Sequence, residues 1–479
     1  MKKLLWLIIL LFSLDAFSQY SFDWTQLYGK DTLFEIRNIS LSPNRNIFIS
    51  GIIHSVFTHS FLMKIGSNGK IQWFKTFNYY PTVVPNALCF TPDSEIVIAG
   101  YTSPIDSVTT TLWLAKYNHN GSLLWQKTFP QFGNSSATDI KCTDKKIFIT
   151  GFTSPTFYTP EKWLILTLDS TGNIIWYKTL GNKKAPNHPS SIAIYRNFIA
   201  VSGYFGQKSP PNKFMTLTLL STDGSLIWKK TLFQFNNSQF SSVTFTPDSN
   251  ILAVGYFQNS FNLHNIYVCK ISTNNSLIWA KTLPMPYDAI PFDLTSNPDS
   301  SYSIAYLLWA TNQSYSQVGI ITLDSLGKIK SLQNFYNISD NFSAKIIHLN
   351  NNQPALLATM YVGAIGWVLT LFKPQTSKPK LSVLNLNNKL TKTTFSPLTL
   401  HICLQDNFAP KYAVIYINKH PVDTISNFYL NVAPQCPFSI VPKIKLAPGF
   451  NKITIKINDY KNNKLLVTHK ILYIPWSKK

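Results

Sequence analysis

The sequence is poor in charged residues, in glycine and in long apolar runs. Charged residues make up 13% of the 479 residues and hydrophobic residues 45%. This balance excludes an intrinsically disordered chain, which has many charges and few apolar residues. Glycine (19) is rarer than proline (28), which excludes a collagen-like repeat and disfavours long helices. No stretch reaches the roughly 18 apolar residues of a membrane-spanning helix, so no transmembrane span is predicted.

Cysteine is scarce and unclustered. The five cysteines are Cys89, Cys142, Cys269, Cys403 and Cys436. No Cys-x-x-Cys occurs, which excludes the common zinc-binding and redox motifs. We expect buried free thiols, with Cys269 in the core; the alternative is a disulfide between Cys403 and Cys436 in an oxidising compartment. Nucleophile-elbow, P-loop and dinucleotide motifs are also absent. We therefore predict no metal and no cofactor.

Residues 1–18 have the parts of a secretory signal peptide. Lys2 and Lys3 give a positive start, and residues 4–14 form an apolar run of 11 residues. That run is too short to span a bilayer. Ala16 and Ser18 are small residues at positions −3 and −1 of a cleavage site before Gln19. We expect an exported protein, either periplasmic, cell-surface or extracellular. An uncleaved N-terminal anchor is the alternative.

A tryptophan recurs along the chain with a nearly constant period. The motif Trp-x-Lys-Thr occurs five times at spacings of 52, 51, 52 and 51 residues, beginning at Trp73, Trp125, Trp176, Trp228 and Trp279. Four residues before each tryptophan stands a turn residue: Gly69, Gly121, Gly172, Gly224 and Asn275. A related segment begins at Trp24, and the turn recurs without its tryptophan at 323–329. The period predicts a repeat architecture.

Each repeat has the pattern of four short strands. In the third copy the strands are predicted at 138–143, 146–153, 163–168 and 173–180, with turn residues between them. The first hairpin carries Thr-Pro-Asp-Ser in two copies, at 91–94 and 246–249, which is typical of a type I turn. Four strands in about 50 residues are the signature of a β-propeller blade.

The number of strands predicts seven blades in residues 19–373. Six intervals run from Trp24 to the position of Ser331, and three further strands follow before the break at 373–379. The segment 20–28 is an orphan fourth strand that can complete the seventh blade and close the ring. Closure removes sheet edges that promote aggregation. An eight-bladed or open ring is the alternative.

The repeat resembles that of exported bacterial and archaeal β-propellers, most of which are uncharacterised. The residues that carry the resemblance run from Ile147 to Gly181, and the piece Asp-x-x-Gly-x-x-x-Trp at 169–176 is similar to the tryptophan-docking motif of quinoprotein-like propellers. The resemblance implies a propeller in which each tryptophan packs one blade on the next. It also suggests a quinone-dependent dehydrogenase as an enzyme class. However, those enzymes often have eight blades and a vicinal cysteine pair, which this sequence lacks.

Residues 380–479 follow a linker at 374–379 and lack the repeat. Their final hairpin, at 448–474, resembles the end of a bacterial immunoglobulin-like domain, so the predicted fold is all-β: a seven-bladed propeller followed by a small immunoglobulin-like β-sandwich. This segment holds 14 lysines and three aspartates, a net charge of +11 out of +22 for the chain. Lys452 and Lys456 alternate with isoleucines and are predicted to contact an anionic surface. The alternative is a lysine bias of the genome, since only three basic residues are arginine.

The long loops of a propeller face the opposite side from its short turns. They vary between the repeats, and variable loops on a rigid scaffold often bind ligands. The candidate ligand-binding residues are the loop aromatics Tyr79, Tyr80, Tyr158, Phe261, Trp309 and Tyr315. Ordinary aromatics that shield the blade ends are the alternative.

The sequence thus predicts an exported, non-catalytic binding or scaffold protein of the cell envelope. Its partner is a polysaccharide, a cell-envelope component or a protein, and nucleic acid is disfavoured by export and by the scarcity of arginine. One alternative is a carbohydrate-active or quinone-dependent enzyme with its site at the loop face. Two carboxylates facing one central channel favour a glycosidase. A purely structural envelope protein is a further alternative.

Overall fold

The computed structural model describes residues 19–28, 33–44, 46–54, 59–66, 70–77, 82–104, 108–181, 184–209, 211–259, 262–283, 285, 288–309, 316–348, 354–361, 367–375, 380–383, 391–393, 398–399, 402–405, 410–425, 429–430, 438–440, 443–459 and 464–473. These residues are strands and turns, apart from one 3-10 turn at Pro130–Phe132. The chain divides into two compact units. One is Trp24–Leu371, and the other takes in the chain before and after it.

The first unit contains five four-stranded antiparallel sheets, each made of four consecutive strands in chain order. Their strands are β2–β5 (Leu33–Leu41, Ile47–His54, His59–Ile65, Ile71–Phe77), β6–β9 (Thr82–Phe90, Ile96–Ser103, Thr111–Tyr117, Leu123–Thr128), β10–β13 (Asn134–Cys142, Lys146–Ser154, Lys162–Asp169, Ile174–Leu180), β14–β17 (Asn187–Tyr195, Phe198–Lys208, Pro211–Ser221, Leu226–Thr231) and β18–β21 (Gln239–Phe245, Ile251–Gln258, His264–Ile271, Leu277–Leu283). We number these sheets 1 to 5.

A seven-stranded sheet continues the series with the order β1-β27-β26-β25-β24-β23-β22. Its strands are Gln19–Tyr28 (β1), Asp288–Ser296 (β22), Tyr302–Trp309 (β23), Ser316–Leu323 (β24), Ile329–His348 (β25), Pro354–Tyr361 (β26) and Trp367–Gln375 (β27). The first half of β25 pairs with β24 and the second half with β26. The sheet is therefore two four-stranded groups that share β25, and seven such groups follow one another along the chain.

The hydrophobic core lies between consecutive sheets. Strands two and three of each sheet carry nearly continuous apolar runs, such as Leu112–Ala115, because both faces of a middle strand are covered. One cluster joins Val97 and Leu114 of sheet 2 to Ile140 and Leu166 of sheet 3. Similar clusters join sheets 1 and 2, 3 and 4, and 4 and 5. Face-to-face packing of successive four-stranded sheets is the organisation of a β-propeller.

The repeated tryptophan packs its own sheet against the next one. The ring of Trp176 on β13 lies so close to Gly224 in the third turn of sheet 4 that a Cβ added there would stand 2.9 Å from the ring. The indole nitrogen of Trp176 donates a hydrogen bond to the Thr222 carbonyl of that turn, at 3.1 Å. Trp73, Trp125 and Trp279 stand against Gly121, Gly172 and Gly327 in the same way. The predicted packing role of this tryptophan agrees with these contacts.

A disulfide joins Cys89 and Cys142, which lie 53 residues apart on the first strands of sheets 2 and 3. The expectation of free thiols at these two positions was wrong, because consecutive first strands are neighbours in space. Cys269 is a buried free cysteine, as expected. The proposed pair Cys403–Cys436 lies outside the described residues, except for the backbone of Cys403.

The second unit holds two larger sheets and one two-stranded sheet. The four-stranded sheet has the order β28-β31-β35-β34, and the five-stranded sheet β29-β38-β37-β32-β33. The strands are β28–β33 (Lys380–Val383, Thr391–Thr393, Leu398–Thr399, Ile402–Gln405, Pro410–Ile417, His420–Ile425) and β34–β38 (Tyr429–Leu430, Phe438–Ile440, Lys443–Ile444, Gly449–Asp459, Lys464–Tyr473). β29 pairs with β38 in parallel, and the final hairpin β37–β38 is antiparallel.

Candidate ligand-binding surfaces

A central channel is formed by the first strands of sheets 1 to 5 together with β22. Each of these strands has a β-bulge at the corresponding place, at Arg37, Asn86, Thr138, Ser190, Ser241 and Phe292. All six bulged residues line one cavity of about 690 Å³. Bulges aim extra side chains away from the regular pleat and are common beside functional sites. Six first strands around one cavity are the inner wall of a propeller.

Two carboxylates lie in the channel, and both hold neighbouring strands together. Oδ2 of Asp139 accepts hydrogen bonds from the Ser191 hydroxyl and from the Ile192 backbone N–H, both at 3.0 Å. Oδ2 of Asp293 accepts the Ile346 backbone N–H at 2.9 Å. Each carboxylate follows a bulge and bonds an N–H group 53 residues further along the chain. The shared geometry indicates that both carboxylates link neighbouring blades rather than act as a pair of acid–base groups. We call such a hydrogen bond between the first strands of neighbouring blades a latch.

Amide side chains make the same kind of link in other sheets. The side chain of Asn86 donates to the Ala137 carbonyl at 3.0 Å and to the Ser136 hydroxyl at 3.1 Å. Gln239 donates to the Ser190 hydroxyl at 3.1 Å. Sequence analysis missed these residues, although their positions one repeat apart were a signal that could have found them.

The basic side chains of the channel differ in their partners. Arg37 forms an ion pair with Glu35 at 2.7 Å, and Lys141 pairs with Asp139 at 3.1 Å. The Arg196 guanidinium lies over the ring of Tyr195, 5.2 Å from its centroid, and the residue is exposed. Arg196 makes no ion pair with any described residue. Among the described residues of the channel, Arg196 is thus a cation without an acidic partner.

The long-loop face of sheet 3 presents two neighbouring aromatics. Tyr158 is 88% exposed, Phe157 is 53% exposed, and their rings meet edge to face at 5.5 Å. Their loop is closed by Thr159, whose backbone N–H and hydroxyl both donate to the Thr156 carbonyl. The pair is thus displayed on an internally hydrogen-bonded turn.

A histidine–carboxylate pair lies at the end of the same loop. Nδ1 of His188 is 2.9 Å from Oε2 of Glu161, and both side chains are about one-third exposed. Burial, and secondarily the Glu161 carboxylate, raises the pKa of the neighbouring Tyr204 to about 12. A similar pair, His264 and Asp288 at 2.8 Å, joins sheet 5 to β22. Because both pairs span a junction between consecutive sheets, we assign them to packing between the blades.

The structure describes only part of the predicted ligand-binding set. Tyr158 is exposed on its loop, as the ligand-binding role requires. Trp309 ends β23, but its side chain lies outside the described residues. Tyr79, Tyr80, Phe261 and Tyr315 also lie outside them. Whether the six aromatics form one surface therefore stays a prediction.

The final hairpin places Lys452 and Lys456 on one face of β37. Ile453, Ile455 and Ile457 point to the other face and are fully buried. Lys452 is exposed and pairs directly opposite Lys470 of β38, which is also exposed. Phe450, 72% exposed, extends the same face of β37. Like charges directly opposite each other destabilise a sheet. An anion bound to this face would reduce the repulsion between Lys452 and Lys470.

The described residues contain neither a cluster of metal ligands nor a membrane-spanning helix. No group of three or more His, Cys, Asp or Glu side chains is placed to hold a metal ion there. In the same part of the chain, no helix has the length and apolar character needed to cross a membrane.

No family model matches the sequence, and no curated protein matches it significantly. Similar solved structures include the β-propeller domain of the Trilobed protease from Pyrococcus furiosus (TM-score 0.43, 12% identity, 72% of this chain and 94% of that chain) and BBS1N in complex with ARL6DN (TM-score 0.45, 9% identity, 75% and 98%). Pyrococcus horikoshii acylaminoacyl peptidase has a TM-score of 0.42 and 12% identity over 78% of this chain and 58% of that chain. Because these three TM-scores are below 0.5, the propeller assignment rests on sheet order and the central channel.

Proposed function

We propose that this chain is an exported, non-catalytic binding protein of the cell envelope, made of a seven-bladed propeller and an immunoglobulin-like sandwich. The propeller carries the ligand site on its long-loop face. The sandwich holds the protein on an anionic surface. The ligand class that fits this arrangement is a cell-envelope polysaccharide, with residues 1–18 serving as the export signal.

The seven-blade assignment is supported by the seven four-stranded groups and by the pairing of β1 with β27. β1 precedes the first complete sheet, β2–β5, and pairs with β27. It can therefore be the fourth strand of the last blade and close the ring. Ring closure explains why an isolated strand precedes the first complete sheet. Domain limits of 19–373 and 380–479 follow from this assignment.

The observation that carries the binding role is the exposure of Phe157 and Tyr158 side by side on a hydrogen-bonded turn. Aromatic faces offer a large apolar area together with a polar tip, which suits stacking on sugar rings. Hydrogen bonds between Thr156 and Thr159 order the turn, so less backbone entropy is lost when a ligand binds. By contrast, the channel carboxylates Asp139 and Asp293 are engaged in latches, which disfavours the alternative glycosidase.

The anchoring role of the sandwich is supported by the lysine face of β37 and β38. Three lysines, Lys452, Lys456 and Lys470, share one sheet face. An anionic surface such as lipopolysaccharide or an acidic wall polymer relieves their repulsion. Attraction of this kind is weakened by salt, because exposed charges are screened over about 10 Å at 0.1 M ionic strength.

The test is a glycan array and a cell-wall pulldown with the mature chain 19–479 at low and at high salt. We expect Phe157→Ala/Tyr158→Ala to lose the salt-resistant binding, while Tyr177→Ala, which removes an exposed tyrosine from β13, keeps it. Lys452→Gln/Lys470→Gln is expected to lose the salt-sensitive part. Retention of full binding by the aromatic double variant, or no binding by the native chain, contradicts the proposal.

A further inference from the structure

Arginine is rare in this chain, yet it is concentrated in the central channel. Only three of the 43 basic residues are arginine, and two of them, Arg37 and Arg196, line the channel cavity. A general lysine bias supplies positive charge with lysine wherever charge alone is needed. Arginine differs from lysine in its planar fork, which binds the two oxygens of a carboxylate or phosphate together. The distribution points to recognition of an oxyanion in the channel.

Arg196 is placed to bind a ligand rather than to stabilise the fold. It occupies a two-residue turn between β14 and β15, at the end of the channel formed by the short turns. Its guanidinium lies over Tyr195, whose other partners are the stacked ring of Phe245 and the Ser249 hydroxyl. Phe245 and Ser249 thus fix the position of the Tyr195 ring, and the guanidinium of Arg196 packs on that ring. No described carboxylate neutralises the guanidinium.

The backbone of Arg196 decides which substitution tests its side chain. Its φ is +49°, a left-handed conformation that favours glycine or asparagine over residues with long side chains. Glycine at this position is therefore expected to be tolerated without backbone strain.

The rest of the cavity adds polar groups suited to a small hydroxylated ligand. The hydroxyls of Ser241 and Ser242 on β18 line the cavity and make no hydrogen bond with the described part of the chain. A volume of about 690 Å³ falls in the range of small-molecule sites and exceeds that of one sugar. The Oδ2 atoms of Asp139 and Asp293 accept hydrogen bonds from the channel wall, and Lys141 forms an ion pair with Asp139.

We propose that the short-turn end of the central channel is a binding site for an anionic ligand of sugar size, with Arg196 holding its carboxylate or phosphate group. Ser241 and Ser242 bind ligand hydroxyls. This site is separate from the long-loop aromatics and does not depend on them.

The test measures binding to the mature chain 19–479 by calorimetry with glucuronate, glucose 6-phosphate, inorganic phosphate and uncharged glucose. Arg196→Gly removes the fork and suits the positive φ, so we expect an unchanged or higher melting temperature together with binding of the anions weakened about tenfold or more. Arg196→Lys keeps the charge but loses the bidentate contact, and its binding is expected to be weakened as well. Lys419→Gly is the matched control, since Lys419 is another basic residue at positive φ, +72°.

The outcomes show whether the anionic group of the ligand is a carboxylate or a phosphate. Binding of glucuronate alone identifies a carboxylate ligand, and binding of glucose 6-phosphate alone identifies a phosphorylated one. Binding of inorganic phosphate as tight as that of either sugar overturns the role of the serines. The proposal is overturned if no anion binds, if glucose binds as well as the anions, or if Arg196→Gly binds like the native chain. Phe157→Ala/Tyr158→Ala is expected to bind these probes normally, which distinguishes this site from the long-loop site.

Discussion

At the scale of single residues, buried lysines show how the propeller accommodates charge inside its sheets. Lys270 lies on the third strand of sheet 5 and its side chain is 7% exposed. Its ammonium group is 2.7 Å from Oδ2 of Asp248 and 3.0 Å from the Tyr302 hydroxyl of the next sheet. Lys116 pairs with Glu95 in sheet 2 in the same arrangement. A buried charge is tolerated only when such partners replace its water.

The two partners of this pair are not equally replaceable. Asp248→Asn leaves the Lys270 ammonium buried without its counter-charge, so we expect a loss of about 1–3 kcal/mol in the free energy of unfolding. Lys270→Met keeps the apolar stem and leaves a carboxylate that is 55% exposed to water, so a smaller loss is expected. Urea denaturation measures both. Asp299→Asn breaks a pair with an exposed lysine and is the control, with an expected loss below about 1 kcal/mol.

The same pair gives a pH dependence with a definite sign. Burial of Asp248 raises its pKa, but hydrogen bonds from Lys270, Thr246 and Asn250 outweigh burial and leave the pKa below its usual value. A carboxyl whose pKa is lower in the folded state stabilises the protein above the unfolded pKa, near 3.9, and loses that contribution as pH falls. The stability gap between the native chain and Asp248→Asn should therefore shrink below about pH 4. A gap that stays constant from pH 7 to pH 3 contradicts this account.

At the scale of elements, the turn between the third and fourth strands receives the tryptophan of the preceding sheet. Gly224 has a φ of +91° and faces Trp176, so it is the residue that this contact requires. In sheet 5 Asn275 takes the same place at +71°, and there Trp228 donates to the Thr273 carbonyl at 2.8 Å. The hydrogen bond to the turn carbonyl is thus kept even where asparagine replaces glycine. The indole N–H therefore contributes to the contact between consecutive sheets, which we call the tryptophan joint.

Gly224→Ala tests this joint. A methyl group there meets the Trp176 ring and also forces alanine into a left-handed conformation, so we expect a loss of about 2 kcal/mol or more. Thermal and urea unfolding measure it. Asn275→Gly, at a turn that already tolerates a side chain, should change stability by less than about 1 kcal/mol. Equal stabilities of Gly224→Ala and the native chain would show that the ring is not held against the turn.

Sequence periodicity was sufficient for the repeat but not for the contacts between repeats. The predicted strands of the third copy, at 146–153 and 163–168, match β11 and β12 within one residue at each end. The first strand was predicted from 138, whereas β10 begins at Asn134. Its early part contains Ser and Asn residues that latch to the preceding sheet, as when the Leu112 N–H donates to the Ser135 hydroxyl at 3.0 Å. Hydrophobic periodicity carries no signal for such polar contacts.

The missed disulfide has a similar explanation. Cys89 and Cys142 are far apart in sequence, and chain distance alone says nothing about their pairing. Their separation of 53 residues is one repeat, which places both on first strands of consecutive sheets. Combining the period with the cysteine positions would have found the pair. The channel latches of Asp139 and Asp293 could be found by the same comparison, since each bonds a group one repeat further on.

At the scale of the whole molecule, the last sheet includes a strand from the other end of the chain. β1 lies at the edge of the last sheet beside β27, whose other neighbour is β26. Without β1, the N–H and C=O groups along one side of β27 lose their partners and form an exposed sheet edge. β1 is therefore expected to be the strand that completes the last sheet.

Removal of residues 19–28 tests closure. We expect the shortened chain, 29–479, to unfold at a lower temperature than 19–479 and to aggregate through the free edge of β27, because such an edge pairs with other chains. A synthetic peptide with the sequence of Gln19–Tyr28 should restore the melting temperature when added in excess, since strand addition supplies the missing main-chain hydrogen bonds. A scrambled peptide of the same composition is the control. A shortened chain as stable and as monomeric as 19–479 would mean that the ring does not need this strand, which is the result expected for an open propeller.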